Sequence, residues 1–296
     1  MAKENGKNDD SNKIKRPIIR HMATLWTLTD YGGKKGEWSI EKKIKRIKKA
    51  GFDGFCGRVP DITAEHVEKY GLLFAATVDI GTVMEIHPKL RAIKEANARC
   101  VNVQLLDHDT PADRALSTAR RVMEAADKLE MDVAIEVHRD TCTETPEKAY
   151  ALAEGFENAE KRLLKMTWDF SHPAVIKHLS PPYWDRLAER TDLIQYAQQF
   201  HFRPFNGHHC QVPALGRGGK FTPEFLDWLE FAEQVITCWL QAAEPGREMF
   251  VCPEQGSGGY FLSVFGDRWK DVQAIRDEVD RVWRKQLKAW TPPAVE

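Results

Sequence analysis

From residue 19 onwards, short runs of β-branched, aliphatic and aromatic residues alternate with longer stretches of helical periodicity. This alternation constrains the fold more than any other feature of the chain. Residues 19–26 (IRHMATLW) read as a strand. The next segment, SIEKKIKRIKKAG, places Ser39 as a helix cap, puts Ile40, Ile44 and Ile47 on one face, and stops at Gly51. Seven further strands are predicted over 52–59, 72–80, 100–107, 131–138, 163–170, 194–201 and 249–254. Helical patterns over 64–70, 88–98, 111–129, 146–161, 223–241 and 269–287 separate most of them. Such strict alternation implies parallel strands joined by crossover connections, and eight units of this size suit a closed barrel. A doubly wound open sheet is the alternative. Its usual nucleotide-binding reason is missing, because no G-x-G-x-x-G follows the first strand and no G-x-x-x-x-G-K-[ST] occurs. The expected architecture is therefore α/β, a single (β/α)8 TIM barrel over residues 19–296, preceded by a disordered N-terminal tail over 1–18.

Composition narrows the partners. Lys+Arg (43) and Asp+Glu (44) nearly cancel, without the basic excess of a dedicated nucleic-acid binder. A small-molecule partner is expected, with neither nucleic acid nor membrane. The polar N-terminus, MAKENGKNDDSNKIKRP, has no apolar core before a cleavage site, and no run of eighteen apolar residues occurs. Six cysteines are scattered with no C-x-x-C pair, which indicates reduced, mostly buried thiols and a cytoplasmic location.

Four predicted strand ends carry a metal-competent residue: Glu136 in AIEVH, Asp169 in TWDFSH, His201 in QFHFRPF and Glu254 in VCPEQG. In a parallel barrel the C-terminal strand ends open into one mouth, so these four side chains converge although far apart in sequence. Carboxylates with one imidazole suit a single hard or borderline divalent ion: Mn²⁺, Mg²⁺, Co²⁺ or Zn²⁺. Any one such residue taken alone is more often a helix cap or a solvated rim. Four on consecutive strands are harder to dismiss. The segment HFRPFNGHHCQ adds Arg203 and three histidines as pocket lining, among which His201, His208 and His209 compete as ligand. Adjacent residues point apart, so at most one of His208 and His209 faces the site, and His209 is the one expected to contact substrate. Trp26 and Trp168 either stack on a sugar face or pack the core. GRGGK, residues 216–220, reads as a solvated glycine-rich loop, with anion binding as the alternative.

Taken in order, IEVHRD, MTWDFSH, HFRPFNGHHCQ and CPEQGSGGY resemble the xylose isomerase-like TIM barrels, the sugar phosphate isomerase/epimerase family, which also includes inosose dehydratases and endonuclease IV. The resemblance covers the chain after its tail, and the specific motifs lie in the second half. It implies a metal held by Glu136, Asp169, His201 and Glu254, with His172 and Arg203 contacting substrate; homo-oligomerisation is an expectation from the family alone. Arg203 departs from the epimerase pattern by lying only two residues after His201. His138, in VHRD, is placed for substrate contact or catalysis rather than as a ligand.

The chemistry such a site supports is proton abstraction next to a carbonyl through a metal-stabilised enediolate, with Glu136 and Glu254 as base and acid. The expected enzyme is a metal-dependent isomerase or epimerase of a sugar or keto-sugar. A carbohydrate lyase or dehydratase of keto-glycoside or inosose type uses the same centre. A zinc phosphodiesterase of the endonuclease IV kind has the histidines it needs but lacks a basic stripe.

Overall fold

The computed structural model describes residues 14–294, in which eight parallel strands close into one barrel in chain order. The strands are β1 (Ile18–Thr24), β2 (Gly54–Gly57), β3 (Leu73–Ile80), β4 (Cys100–Leu105), β5 (Val133–Val137), β6 (Met166–Trp168), β7 (Gln199–Phe202) and β8 (Glu248–Pro253). Closure is made by β8 against β1, where Ile18 pairs with Glu248 and His21 with Val251. Because β1 also pairs with β2, the sheet has no edge there, and the doubly wound alternative is excluded. The barrel thus takes up Ile18, one residue before the expected boundary; residues 1–13 of the expected tail lie outside the described residues.

The helices are α1 (Ile40–Lys49), α2 (Ala64–Tyr70), α3 (Ile86–Glu95), α4 (Ala112–Lys128), α5 (Pro146–Glu160), α6 (Ser171–Ile176), α7 (Trp184–Leu187), α8 (Thr191–Tyr196), α9 (Pro223–Gln241) and α10 (Arg268–Leu287). Their starts follow local chemistry. Ser39 accepts a hydrogen bond from the Lys42 amide at the head of α1, and Thr145 and Thr222 cap α5 and α9, each followed by a proline that needs no donor there. One expected strand is corrected. Residues 194–196 close helix α8, and β7 begins only at Gln199. Leu193 and Ile194 are buried, and an apolar run this short does not distinguish a packed helical turn from a strand. No helix among the described residues is long and apolar enough to cross a membrane.

Strand side chains alternate between two faces, which gives the barrel two cores. Outward residues such as Phe74, Val103, Ile135, Trp168, Phe200 and Val251 pack beneath the helices in one large apolar layer. Inward residues Met22, Cys56, Ala75, Cys100, Phe250 and Cys252 fill the deeper barrel interior. All six cysteines are free. Towards the C-terminal mouth the inward face turns polar, with Thr77, Asn102, Glu136, Thr167 and His201 all buried. That switch from apolar to polar on a single face is what creates a site there.

Candidate metal centre at the barrel mouth

Glu136 and His201 are inward residues of β5 and β7, whereas Asp169, Arg203 and Glu254 stand immediately beyond the ends of β6, β7 and β8. His201 Nδ1 lies 2.9 Å from Glu136 Oε1 and 3.5 Å from Glu254 Oε2. The other Glu136 oxygen accepts a hydrogen bond from Asn102 Nδ2 at 2.7 Å. Asp169 Oδ1 accepts from the amide and hydroxyl of Ser171 at the start of α6, at 3.0 and 2.5 Å. Arg203 Nη2 reaches Glu254 Oε1 at 2.7 Å and Asp169 Oδ2 at 3.2 Å. Trp26 Nε1 donates to that same Glu254 oxygen at 2.8 Å.

The donor set fits a divalent ion. Glu136, Asp169 and His201 each offer a buried ligand atom, all within 4.8 Å of one another, so this group could hold a metal. Asp169 Oδ2 and Glu254 Oε2 are buried acceptors that receive no hydrogen bond, and a cation would satisfy both. Glu254 stands beside the trio rather than in it. Arg203 and Trp26 occupy its Oε1, and its Oε2 faces His201.

Charge organises the titration of these groups. Burial alone would lift the Glu136 carboxyl, but the His201 and His138 imidazoles outweigh it and hold Glu136 at about 2. His201 shows the converse: burial disfavours its charged form, yet Glu136, Glu254 and Asp169 raise it to about 10. Asp169 is likewise pulled well below the usual carboxylate range despite its burial, chiefly by Arg203 and His172. Burial dominates at His172, which is lowered to about 4. Each sign follows from desolvation set against the nearest opposite charge.

Above the group opens a cavity of about 510 Å³, lined by Trp26, Thr77, Gln104, Glu136, His138, His201, Arg203, Glu254 and Tyr260 among others. A larger hollow of about 790 Å³ lies between α8 and α9 and shares none of these residues, so size alone does not locate the chemistry. The cations at the rim of the polar cavity are already paired, Arg58 with Asp79 at 2.6 Å and Lys43 with Glu37 at 2.5 Å.

Among the residues singled out from sequence, Trp26, Glu136, His138, His201, Arg203 and Glu254 line this cavity. His172 is buried behind it, with Nε2 3.3 Å from Asp169 Oδ2 and its ring 3.9 Å from that of His138. Asp169 is buried at the floor beside it. His209 does not join them. It is exposed on the outer part of the loop, where Asn206 Oδ1 accepts from its backbone amide. His208 is exposed as well. The reason is that Asn206 and Gly207 turn the chain outwards, Gly207 lying so close to the Leu179 backbone that an added Cβ would sit 2.0 Å from its carbonyl oxygen. Of the two readings of Trp168, core packing is the one observed: it faces the helices, stacked on Phe170 at 5.1 Å. The 216–220 loop contributes nothing to the cavity lining.

Two contributors escaped the sequence reading. Asn102 had a visible signal, since CVNVQL places polar residues at alternate positions of an otherwise apolar strand. Tyr260, in a quoted motif but not singled out, lines the cavity between two guanidiniums, those of Arg139 and Arg203, each 4.5 Å from its ring centre.

A closed parallel barrel with a buried Glu/Asp/His group at its C-terminal mouth defines a metal-competent (β/α)8 barrel. Solved structures place that barrel more narrowly. An L-ribulose 3-epimerase matches with a TM-score of 0.60 and 12% identity, over 93% of this chain and 97% of that one. A xylose isomerase-like TIM barrel protein from Mycobacterium smegmatis, in complex with magnesium, matches with a TM-score of 0.55 and 15% identity, over 90% and 98%. A probable 3-DHS dehydratase involved in petrobactin synthesis, from Bacillus anthracis, matches with a TM-score of 0.54 and 12% identity, over 89% and 99%. The chain has the xylose isomerase-like TIM-barrel fold. No protein-family model and no curated protein sequence matches it.

Proposed function

We propose that the protein is a metal-dependent isomerase or epimerase of a sugar or keto-sugar. The observation that carries this reading is the convergence of Glu136, Asp169 and His201 within 4.8 Å at the floor of a polar cavity, with Glu254 alongside. Glu136, Asp169 and His201 would hold the ion, and Glu254 Oε2 is free to join them. A divalent cation there would polarise a substrate carbonyl and acidify the adjacent C–H. Glu136 is steered by Asn102 at the cavity floor and would be the group to accept that proton. Glu254 approaches from β8, the other side of His201, and is steered by Trp26 and Arg203. Two proton-transfer groups on separate walls suit return of the proton to either face, which is epimerisation, or to the neighbouring carbon, which is isomerisation. Trp26 and Tyr260 offer ring surface to a sugar within the cavity.

A lyase or dehydratase reading is favoured by one feature. His138 lines the cavity beside Glu136 with its ring against His172, where an imidazole is placed to protonate a departing oxygen. The test is a screen of ketoses, 3-keto-sugars and inososes in deuterated water with each divalent metal. Exchange at carbon next to the carbonyl is expected with isomerisation or epimerisation, and release of a leaving group identifies a lyase. Glu136→Gln and Glu254→Gln should each lower turnover by roughly 10²-fold or more with the fold retained. Near-normal turnover in both variants refutes the assignment.

A further inference from the structure

Arg203 is a guanidinium buried among these acids beside the His201 imidazole, and substrate contact alone does not account for its placement. It is 3% exposed and stands two residues after His201, on the same inward face. Its Nη2 is directed between two carboxylates carried by different strands, Glu254 at 2.7 Å and Asp169 at 3.2 Å. Its Nε and Nη1 are buried without hydrogen-bond partners, and the guanidinium lies over the Tyr260 ring at 4.5 Å. An arginine serving only to recognise substrate would turn its donors into the cavity. This one directs its best hydrogen bond at the acids. Three carboxylates gathered out of water repel one another strongly, so their assembly requires a compensating charge before any metal arrives. With His201 neutral, as a ligating imidazole must be, one guanidinium set against Glu136, Asp169 and Glu254 leaves two negative charges, which matches a divalent ion.

We infer that Arg203 is the resident counter-ion of the centre, a positioning residue that compensates Asp169 and Glu254 in the metal-free protein and competes with an incoming divalent cation for them. The inference rests on the metal-centre reading above. It makes a prediction opposite to that for a residue that merely supports the site: removing the charge strengthens metal binding. It also explains why Glu254 stands beside the Glu136, Asp169 and His201 group, since Arg203 and Trp26 hold one of its oxygens.

The experiment is isothermal titration of Mn²⁺ into the metal-stripped wild type and into Arg203→Gln, Arg203→Met and Arg203→Lys, with thermal melts of each. The two neutral variants are expected to bind Mn²⁺ at least about tenfold more tightly than the wild type. They should also melt lower without metal and recover most of the difference when Mn²⁺ is added. Arg203→Lys, which keeps the charge, should stay within about threefold of wild-type affinity. A neutral variant that folds only when Mn²⁺ is supplied carries the same meaning. Unchanged or weaker Mn²⁺ binding in the neutral variants, or misfolding with and without Mn²⁺, overturns the inference. A wild type that binds no divalent metal overturns instead the functional reading on which it rests.

Discussion

Replacing Asn102 by alanine removes a single hydrogen bond at the floor of the site, and the consequence can be worked through. Asn102 is 1% exposed and donates through Nδ2 to Glu136 Oε2 at 2.7 Å, while His201 faces the other oxygen. The acceptor is ionised, because Glu136 is held at about 2 by the imidazoles around it. A hydrogen bond to a charged group contributes about 1.5–3 kcal/mol, and Asn102→Ala takes that donor from an oxygen of a carboxylate only 1% exposed. The metal-free protein should therefore lose about 2 kcal/mol, a fall in Tm of about 3–4 °C for a domain of this size. The same loss acts on metal binding, since an untethered Glu136 must be reoriented before it can serve as a ligand; affinity is expected to fall by about 10–100-fold. Calorimetric Mn²⁺ titration together with thermal melts measures both effects. The direction is opposite to that expected for neutral Arg203 variants, so the two residues test separate claims about one site. Wild-type Mn²⁺ affinity in a folded Asn102→Ala protein would refute the idea that Asn102 orients a ligand.

Two further perturbations probe how the fold supports the site. Asp271 is buried, accepts from the Leu215 amide at 3.1 Å, and is raised to about 6, mainly by burial and also by Asp267. The folded state keeps its proton up to that pH, whereas the unfolded chain releases it near 4. Stability should therefore fall as pH rises from about 4 to 6 and level off above, for a total of about 3 kcal/mol. Asp271→Asn should remove that slope, and parallel denaturation profiles for the two proteins between pH 4 and 7 would contradict the argument. Gly207→Ala places a methyl 2.0 Å from the Leu179 carbonyl oxygen, so the loop after β7 must shift. A loss of about 2 kcal/mol is expected, with lowered turnover because Arg203 begins that loop; unchanged stability by urea titration counts against it.

The architecture was legible because its signals are local. Ser39, Thr145 and Thr222 cap their helices through their own side chains, and each β-rich run carries enough β-branched and aromatic residues to be found alone. The stretch from Ser171 to Tyr196 broke the pattern. It folds into three short helices whose apolar residues, Leu187, Leu193 and Ile194 among them, are too few to show a period. The convergence of Glu136, Asp169, His201 and Glu254 was legible for a different reason, namely that strand ends of a closed parallel barrel face one mouth whatever lies between them.

What sequence could not supply is which oxygen meets which donor. Barrel closure and strand register set that, as in the pairing of Asn102 with Ala134, which brings the Asn102 amide beside Glu136 on the neighbouring strand. The same logic revises the meaning of Arg203. Its two-residue spacing from His201 departed from the family pattern, yet in a strand that spacing keeps a side chain on the inward face. A longer spacing would have carried the guanidinium up the loop towards the substrate. Here it lies among the acids, against Glu254 and Asp169. Measured metal affinity in the Arg203 variants therefore bears on how the centre balances its charge before a metal arrives.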